Sequence, residues 1–178
     1  KKRNSSHLSV LLDEIKLNNL EKVKGIISSI GKNHITKNFL SATDFNGNTP
    51  LHLAILHDNS EFVEFLLSYN ANPNTKNHKG ETPIFFSLSV KNPEILKVLL
   101  KYGGNPYITN NNNQSVYAIC SLDPEKHSEF IEIIQNHLYE EGAESNVIHR
   151  YSGYKSPQPT SSNSKIIIRS SKTDNRVM

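Results

Sequence analysis

An internal period of 33 residues constrains the fold of this 178-residue chain more than any other feature of its sequence. Residues 44–76 align with residues 77–109 without a gap. The paired positions include residues with special backbone roles: Gly47 with Gly80, Thr49 with Thr82, Pro50 with Pro83, and Pro73 with Pro106. A repeat of this length predicts an array in which one small supersecondary unit stacks on its neighbours.

Two less regular copies flank the matched pair. In the closing copy Asn113 takes the glycine place and Cys120 takes the place of Ala54, and the second half carries extra residues. In the leading copy Glu21 precedes Glu61 by 40 positions rather than 33, which implies additional residues there. We therefore expect one domain at residues 8–141, with units at 8–43, 44–76, 77–109 and 110–141. The closing unit is expected to be the most distorted.

Each unit predicts two short antiparallel helices. Thr49 before Pro50 has the form of an N-cap followed by proline in the first turn, so a helix is expected to begin there. The apolar residues after Pro50 stop at "HDN" and resume at helical spacing in "EFVEFLL". Asn70 and Gly103 hold equivalent places that suit a left-handed helix end, and Gly47 holds a place that suits a tight turn.

The motifs "GNTPLHLA", "EFVEFLL" and "NANPN" resemble the ankyrin repeat, and the hexamer "TPLHLA" at residues 49–54 is the most specific of them. The resemblance covers about residues 8–139. It implies an all-α fold, an ankyrin-repeat solenoid of stacked antiparallel helix pairs with projecting hairpin loops and a concave face. It also implies that His52 hydrogen-bonds to the threonine hydroxyl and to the backbone of the neighbouring turn. Phe85 departs from the family pattern because it replaces this histidine.

The resemblance further implies that the chain binds another protein and has no small-molecule substrate. Ankyrin domains usually contact partners through their hairpin tips and the exposed edge of each first helix. The matching positions are Phe45, Asn46, Asn48, Leu56, His57, His78, Lys79, Glu81, Ser89, Val90, Asn111, Asn112 and Gln114. Among them Phe45, Leu56 and Val90 are apolar at places that we expect to face solvent. A small protein-binding hot spot has this composition, although scattered surface apolar residues give the same pattern.

The sequence carries no pattern that favours a catalytic, metal or cofactor site. His52 and His57 lie five positions apart, whereas the zinc-binding helix motif needs two histidines four positions apart with a glutamate between them. Cys120, the single cysteine, holds a small-residue core place where a thiol is more often packing than a nucleophile. No glycine-rich stretch has the spacing of a phosphate-binding loop. We therefore expect that the protein is not an enzyme and uses no cofactor.

The composition constrains the cellular location of the protein and the kind of partner that it binds. A net charge of +3 without a basic face does not favour nucleic acid as a partner. The longest apolar runs fall far short of the roughly 20 residues of a transmembrane helix. A single cysteine favours a cytoplasmic or nuclear location. Residues 1–7 predict a basic flexible N-terminus, and residues 142–178 predict a Ser-rich, disordered tail.

Two other functions remain open at this point. The basic ends allow electrostatic binding to nucleic acid or anionic lipid, with the repeats as a spacer, and such binding falls steeply as salt is added. The chain also fits a substrate-recruiting segment of a larger enzyme, which the parent reading frame would settle.

Overall fold

Paired helices make up most of the described chain. A computed structural model describes residues 10–30 and 39–142. The helices are α1 (10–16), α2 (Leu20–Ile30), α3 (Pro50–Ile55), α4 (Ser60–Ser68), α5 (Pro83–Val90), α6 (Pro93–Lys101), α7 (Val116–Leu122) and α8 (Ser128–Gly142). Within the described ranges the chain forms no strand, and the β-type pairing there is an isolated bridge between Thr109 and Ser115. The all-α prediction is confirmed.

The helix pairs stack in two layers. The first helices α3, α5 and α7 pack side by side, as do the second helices α4, α6 and α8. Each first helix in this series also packs on the second helix of its own unit. This arrangement is the solenoid of antiparallel helix pairs that the resemblance implied, and it places equivalent residues of successive units in rows along the stack.

The helices begin where the sequence predicts. Thr49 and Thr82 have extended backbone, with ψ of 167° and 164°, and each precedes a proline that opens a first helix. The missing N–H of that proline costs nothing because the first turn of a helix has no internal acceptor for it. The second helices α4 and α6 follow Asn59 and Asn92, whose side chains accept hydrogen bonds from N–H groups of the first turn.

Left-handed residues end the second helices at equivalent places. Asn70 (φ 68°) and Gly103 (φ 84°) take the conformation predicted for them. Their N–H groups donate to the carbonyls of Leu67 and Leu100, at 2.9 Å in both cases. These bonds satisfy carbonyl groups that have no partner within the helix. The chain therefore leaves both second helices in the same direction, toward the next hairpin.

One apolar seam runs through the units. Leu66 and Leu99, predicted as core residues, are both 0% exposed. The leading unit joins the same seam through Ile15, and the closing unit joins it through Ile134. Because a single helix pair cannot bury its own apolar stripe, each unit depends on its neighbours for stability.

The leading unit differs by a buried carboxylate. Glu14 stands 40 positions before Ala54, at the small-residue place of the later units, and is 7% exposed. Its two oxygens accept hydrogen bonds from the Lys22 ammonium and from the Asn19 amide. Burying a carboxylate is costly unless donors of this kind satisfy it. The divergence of this unit therefore includes a polar cluster in place of apolar packing.

The closing unit forms a complete helix pair. Its first helix α7 begins after Ser115, whose Oγ accepts the N–H of Ala118 at 3.2 Å. Its second helix begins at Ser128, two positions later than the 33-residue period predicts from the start of the previous second helix at Pro93. The distortion expected for this unit lies in the longer loop between its helices. The helix α8 continues to Gly142, one residue past the predicted domain boundary.

Several sequence predictions fall on residues outside the described ranges. They concern the basic flexible N-terminus at residues 1–7, the part at 31–38 of the segment 31–43 that is predicted to hold the additional residues of the leading unit, and the Ser-rich tail at residues 143–178.

Candidate partner-binding surface

The hairpin loops are held in register by backbone hydrogen bonds between neighbouring units. The N–H of His78 donates to the carbonyl of Asn46 at 2.9 Å, and the N–H of Asn111 donates to the carbonyl of Lys79 at 3.0 Å. Donor and acceptor both advance by 33 positions, so the same contact repeats along the stack. The hairpins are residues 44–48, 77–81 and 110–114. Their tips therefore form a row.

Glycines permit this close approach. Gly47 and Gly80 have positive φ, 77° and 75°. A Cβ atom on Gly47 would lie 2.6 Å from Cδ2 of His78, and one on Gly80 would lie 2.3 Å from Oδ1 of Asn111. Both distances are well inside ordinary contact of about 3.5 Å, so a side chain at either place would push the next hairpin away. The closing hairpin has Asn113 at this place, also with positive φ (58°).

One side-chain oxygen tightens each tip. Asp44, Asn77 and Asn110 hold equivalent places, and each accepts the N–H groups of the residues two and four positions later at 2.8–3.0 Å. Burial raises the pKa of Asp44, but hydrogen bonds from Asn48 and Asn46 outweigh it and leave the pKa below the ordinary value. Asp44 is therefore ionised at neutral pH, and its carboxylate accepts hydrogen bonds within its own hairpin.

Asn48 does not lie on the surface, so its prediction as an exposed contact residue is wrong. It is 7% exposed. Its Oδ1 accepts from Nδ2 of Asn77 at 2.9 Å, and its Nδ2 donates to the Asp44 carboxylate at 3.1 Å. Glu81, also predicted as a contact residue, is half-buried and accepts from the same Asn77 amide at 3.2 Å. The side-chain amides of Asn48 and Asn77 therefore join two hairpins, and the sequence of a single unit does not indicate this contact.

The other predicted tip residues lie at the surface. Phe45 is 100% exposed. The exposed polar residues are Asn46, His78, Lys79, Asn111, Asn112 and Gln114. Asn111 is partly engaged because its Nδ2 donates to the carbonyl of His78 at 2.9 Å. The row of tips therefore presents one aromatic side chain beside a set of polar ones.

The exposed edge of the first helices contains the remaining predicted residues. Leu56 is 50% exposed, His57 is half-buried, and Ser89 is exposed. Val90 is half-buried and packs against the core, so the prediction that it is a free apolar surface residue is wrong. The reason is that α5 continues to Val90, whereas α3 ends at Ile55, the equivalent of residue 88.

Sequence reasoning missed two exposed leucines on other units. Leu122 is 79% exposed and lies 66 positions, or two periods, after Leu56. Leu17 is 73% exposed and directly follows α1. The period itself identifies Leu122, because it repeats an apolar residue at the end of a first helix.

His52 joins its unit to the next hairpin. Its Nδ1 lies 3.1 Å from the N of Thr49 and 2.8 Å from Thr49 Oγ1, and its Nε2 lies 3.1 Å from the carbonyl oxygen of Glu81. A carbonyl only accepts, so Nε2 carries the proton and Nδ1 accepts from Thr49. Burial lowers the pKa of His52 below its ordinary value, although the hydrogen bond to Glu81 opposes this. The predicted bonding of this histidine is confirmed.

The next unit lacks this histidine. Phe85 stands 33 positions after His52 and is 7% exposed. Thr82, the equivalent of Thr49, is 0% exposed, and within the described part of the chain its Oγ1 has no hydrogen-bond partner. An unsatisfied buried hydroxyl costs stability. The threonine hydroxyl at the start of the first helix is therefore hydrogen-bonded in the earlier unit and without a partner among the described residues in the later one.

The cysteine of the chain is buried and is not activated as a nucleophile. Burial raises the pKa of the Cys120 thiol to about 11, so the thiol is protonated at neutral pH and is a poor nucleophile. In residues 10–30 and 39–142, no group of three or more histidine, cysteine, aspartate or glutamate side chains lies together as a metal site would require. None of the helices in these ranges is both long enough and apolar enough to cross a bilayer.

Comparison with known families agrees with this architecture. A family model of ankyrin repeats matches residues 7–112 in three copies. The match covers more than half of the 178-residue chain. It stops at the closing hairpin, whereas the structure continues with the helix pair α7 and α8. No curated protein matches the chain. Repeats of this kind are in general modules for protein–protein interaction and are typically non-catalytic.

Proposed function

Because the chain belongs to the ankyrin-repeat family, we propose that it is a non-catalytic adaptor or scaffold that binds a partner protein through its hairpin tips and the exposed edge of its first helices. One observation carries the proposal. Phe45 is 100% exposed and Leu56 is 50% exposed, and neither belongs to the buried seam. Apolar surface left in water stabilises a complex by about 25 cal/mol for each Å² that a partner covers.

The surface around these side chains is preorganised. The turn that carries Phe45 is fixed by the bonds to Asp44 and by the bond between the Asn46 carbonyl and the next hairpin. Leu56 follows the last residue of a helix whose residues are all buried. A partner therefore contacts a loop that is already ordered. Binding then loses less conformational entropy in this loop, which favours affinity.

A double substitution tests the proposal. Phe45→Ser with Leu56→Ser removes both apolar side chains without touching the seam. We expect capture of the partner from cell extract to be lost, because each anchor of this kind contributes roughly 2 kcal/mol or more to binding. The midpoint of thermal unfolding should change little. The measurement is affinity capture with mass spectrometry, paired with a thermal melt of each variant.

A matched control uses exposed positions on the second helices. Lys97→Ser with Glu132→Ser changes two exposed residues of α6 and α8 and should leave capture intact. Equal capture by the Phe45 and Leu56 double variant would contradict the proposed surface. Binding that survives this variant but disappears as salt is added would instead select the electrostatic function of the basic ends.

We also place the protein in the cytoplasm or the nucleus. The support is that the chain has one cysteine, which is buried in the seam as a free thiol. Reducing compartments keep such thiols free, whereas small secreted domains commonly use paired cysteines. Fluorescence microscopy of the tagged full-length protein, with fractionation of nuclei, tests this placement.

A further inference from the structure

We propose that the row of hairpin tips binds an extended peptide segment in which an apolar residue and an acidic residue stand three positions apart. This inference rests on the proposed function and names the chemistry of its partner. It concerns the tips of three successive hairpins, represented by Phe45, by His78 with Lys79, and by Asn112.

The three tips differ in chemistry in a fixed order along the stack. The first tip presents Phe45, which is 100% exposed. The second presents His78 and Lys79, both exposed. The third presents Asn112, an exposed neutral amide. A partner that follows this row meets an apolar contact first, then a cation, then a group that both donates and accepts hydrogen bonds.

The cation at the second tip is available for a partner. Lys79 forms no ion pair and no side-chain hydrogen bond within the described residues. The nearby carboxylates of Asp44 and Glu81 already accept hydrogen bonds from side-chain amides of the hairpins. On the second helices, by contrast, Lys24 and Lys101 each pair with a glutamate of the adjoining unit. An acidic residue on a partner would supply the negative charge that the described residues do not place beside Lys79.

The spacing of the tips sets the spacing in the partner. Helices that pack side by side lie about 8–10 Å apart, and the hairpins follow their helix pairs. An extended chain rises about 3.3 Å per residue, so three residues advance it by one unit. A helical partner would need about seven residues for the same distance, at 1.5 Å per residue.

The amides on either side of the cation favour an extended segment over a helix. Asn46 and Asn112 lie one unit before and one unit after Lys79, and within the described residues their side chains have no hydrogen-bond partner. An extended peptide has free main-chain N–H and C=O groups for such amides. A helix has used these groups internally.

Selection from a library of displayed random twelve-residue peptides tests this inference. The target is the full chain, and the matched targets are the Lys79→Glu and Phe45→Ser variants. We expect enriched peptides to carry an apolar or aromatic residue three positions from Asp or Glu. Synthetic copies should lose at least about tenfold in affinity for Phe45→Ser, because that side chain is the anchor.

Charge reversal gives the sharper result. Lys79→Glu should weaken the same peptides roughly three- to tenfold, and selection on this variant should enrich Lys or Arg at the acidic position. Lys97→Glu, an exposed lysine on α6, should leave their binding unchanged. Peptides with the apolar and acidic residues about seven positions apart, as a helix would require, peptides indifferent to Lys79→Glu, or no enrichment would overturn the inference. Preferential binding of an RNA oligonucleotide to the tips would overturn it as well.

The two proposals fail separately. If the protein captured from cells is lost with Phe45→Ser and Leu56→Ser but is unaffected by Lys79→Glu, the adaptor function stands and the acidic peptide is wrong. If capture survives both variants, the surface itself is wrong.

Discussion

The units at residues 44–76 and 77–109 begin their helices at equivalent residues but hold the start of their first helix differently. In the earlier unit His52 accepts from Thr49 and donates to the carbonyl of Glu81, so one side chain joins a cap to the next hairpin. In the later unit Phe85 fills the space, and the Thr82 hydroxyl has no partner in the described residues. In both units a buried ring fills this place, whereas the histidine of the earlier unit also forms hydrogen bonds.

Truncation of the seam is expected to have the largest effect, and it should be equal in the two units. Leu66→Ala and Leu99→Ala each remove a side chain that is 0% exposed. The lost burial and the cavity should lower the free energy of unfolding by roughly 2–5 kcal/mol in each variant. Urea denaturation followed by circular dichroism measures this. A loss at one leucine only would show that the units do not share one seam.

Removal of the histidine should have the next largest effect. His52→Phe copies the later unit into the earlier one and leaves the Thr49 hydroxyl without its acceptor. We expect the free energy of unfolding to fall by roughly 1–3 kcal/mol, the cost of unsatisfied buried polar groups. The same urea titration measures it, with the half-buried neighbour His57→Gln as the control. An unchanged midpoint would show that the bonds of His52 contribute nothing net.

The two threonines should respond differently to the same substitution. Thr49→Val removes a hydroxyl that lies 2.8 Å from Nδ1 of His52, and should cost about 1 kcal/mol. Thr82→Val removes a buried hydroxyl without a partner in the described residues, and should be neutral or stabilising by up to about 1 kcal/mol. Thermal melts of the two variants decide the matter. Equal losses at both positions would mean that Thr82 is satisfied in solution.

The smallest effect is expected from pH, because protonation changes one group without deleting it. Burial holds the pKa of His52 below the ordinary 6.5 that it has in the unfolded chain. As pH falls, the unfolded chain therefore takes up the proton first. The stability due to neutral His52 is complete above about pH 6.5 and is lost as pH falls through the lower folded-state pKa. Urea midpoints at several pH values should show this loss in the native chain and a weaker one in His52→Phe.

Features governed by one unit were predictable from the sequence. The cap at Thr49, the left-handed Asn70 and the tight turn at Gly47 follow from local backbone chemistry, and the structure shows all three. The contacts of particular side chains where one hairpin or helix docks on the next were less predictable. Asn48 is buried because Asn77 of the next hairpin reaches it, and Val90 packs inward because its helix is longer than the one before.

The candidate surface was predictable only as a set of positions. The family pattern indicates which places the seam leaves free, and Phe45 and Leu56 are indeed exposed. It does not indicate which of the free side chains are already paired, since pairing depends on distances between units. Leu122 shows the converse, because it lies two periods after Leu56 and is 79% exposed, yet it is not among the predicted contact residues.

The glycines in the hairpins determine where a further repeat can be inserted without a steric clash. Gly47 and Gly80 each leave room for the hairpin that follows, whereas Asn113 puts a Cβ into the equivalent space. A duplicated copy of residues 77–109 inserted after residue 109 would therefore meet a glycine on its neighbour and present one in turn. A further hairpin added beyond Asn113 in the same register would meet a side chain instead. Duplication of this unit within the array is thus sterically open, because the new hairpin would meet a glycine on each side.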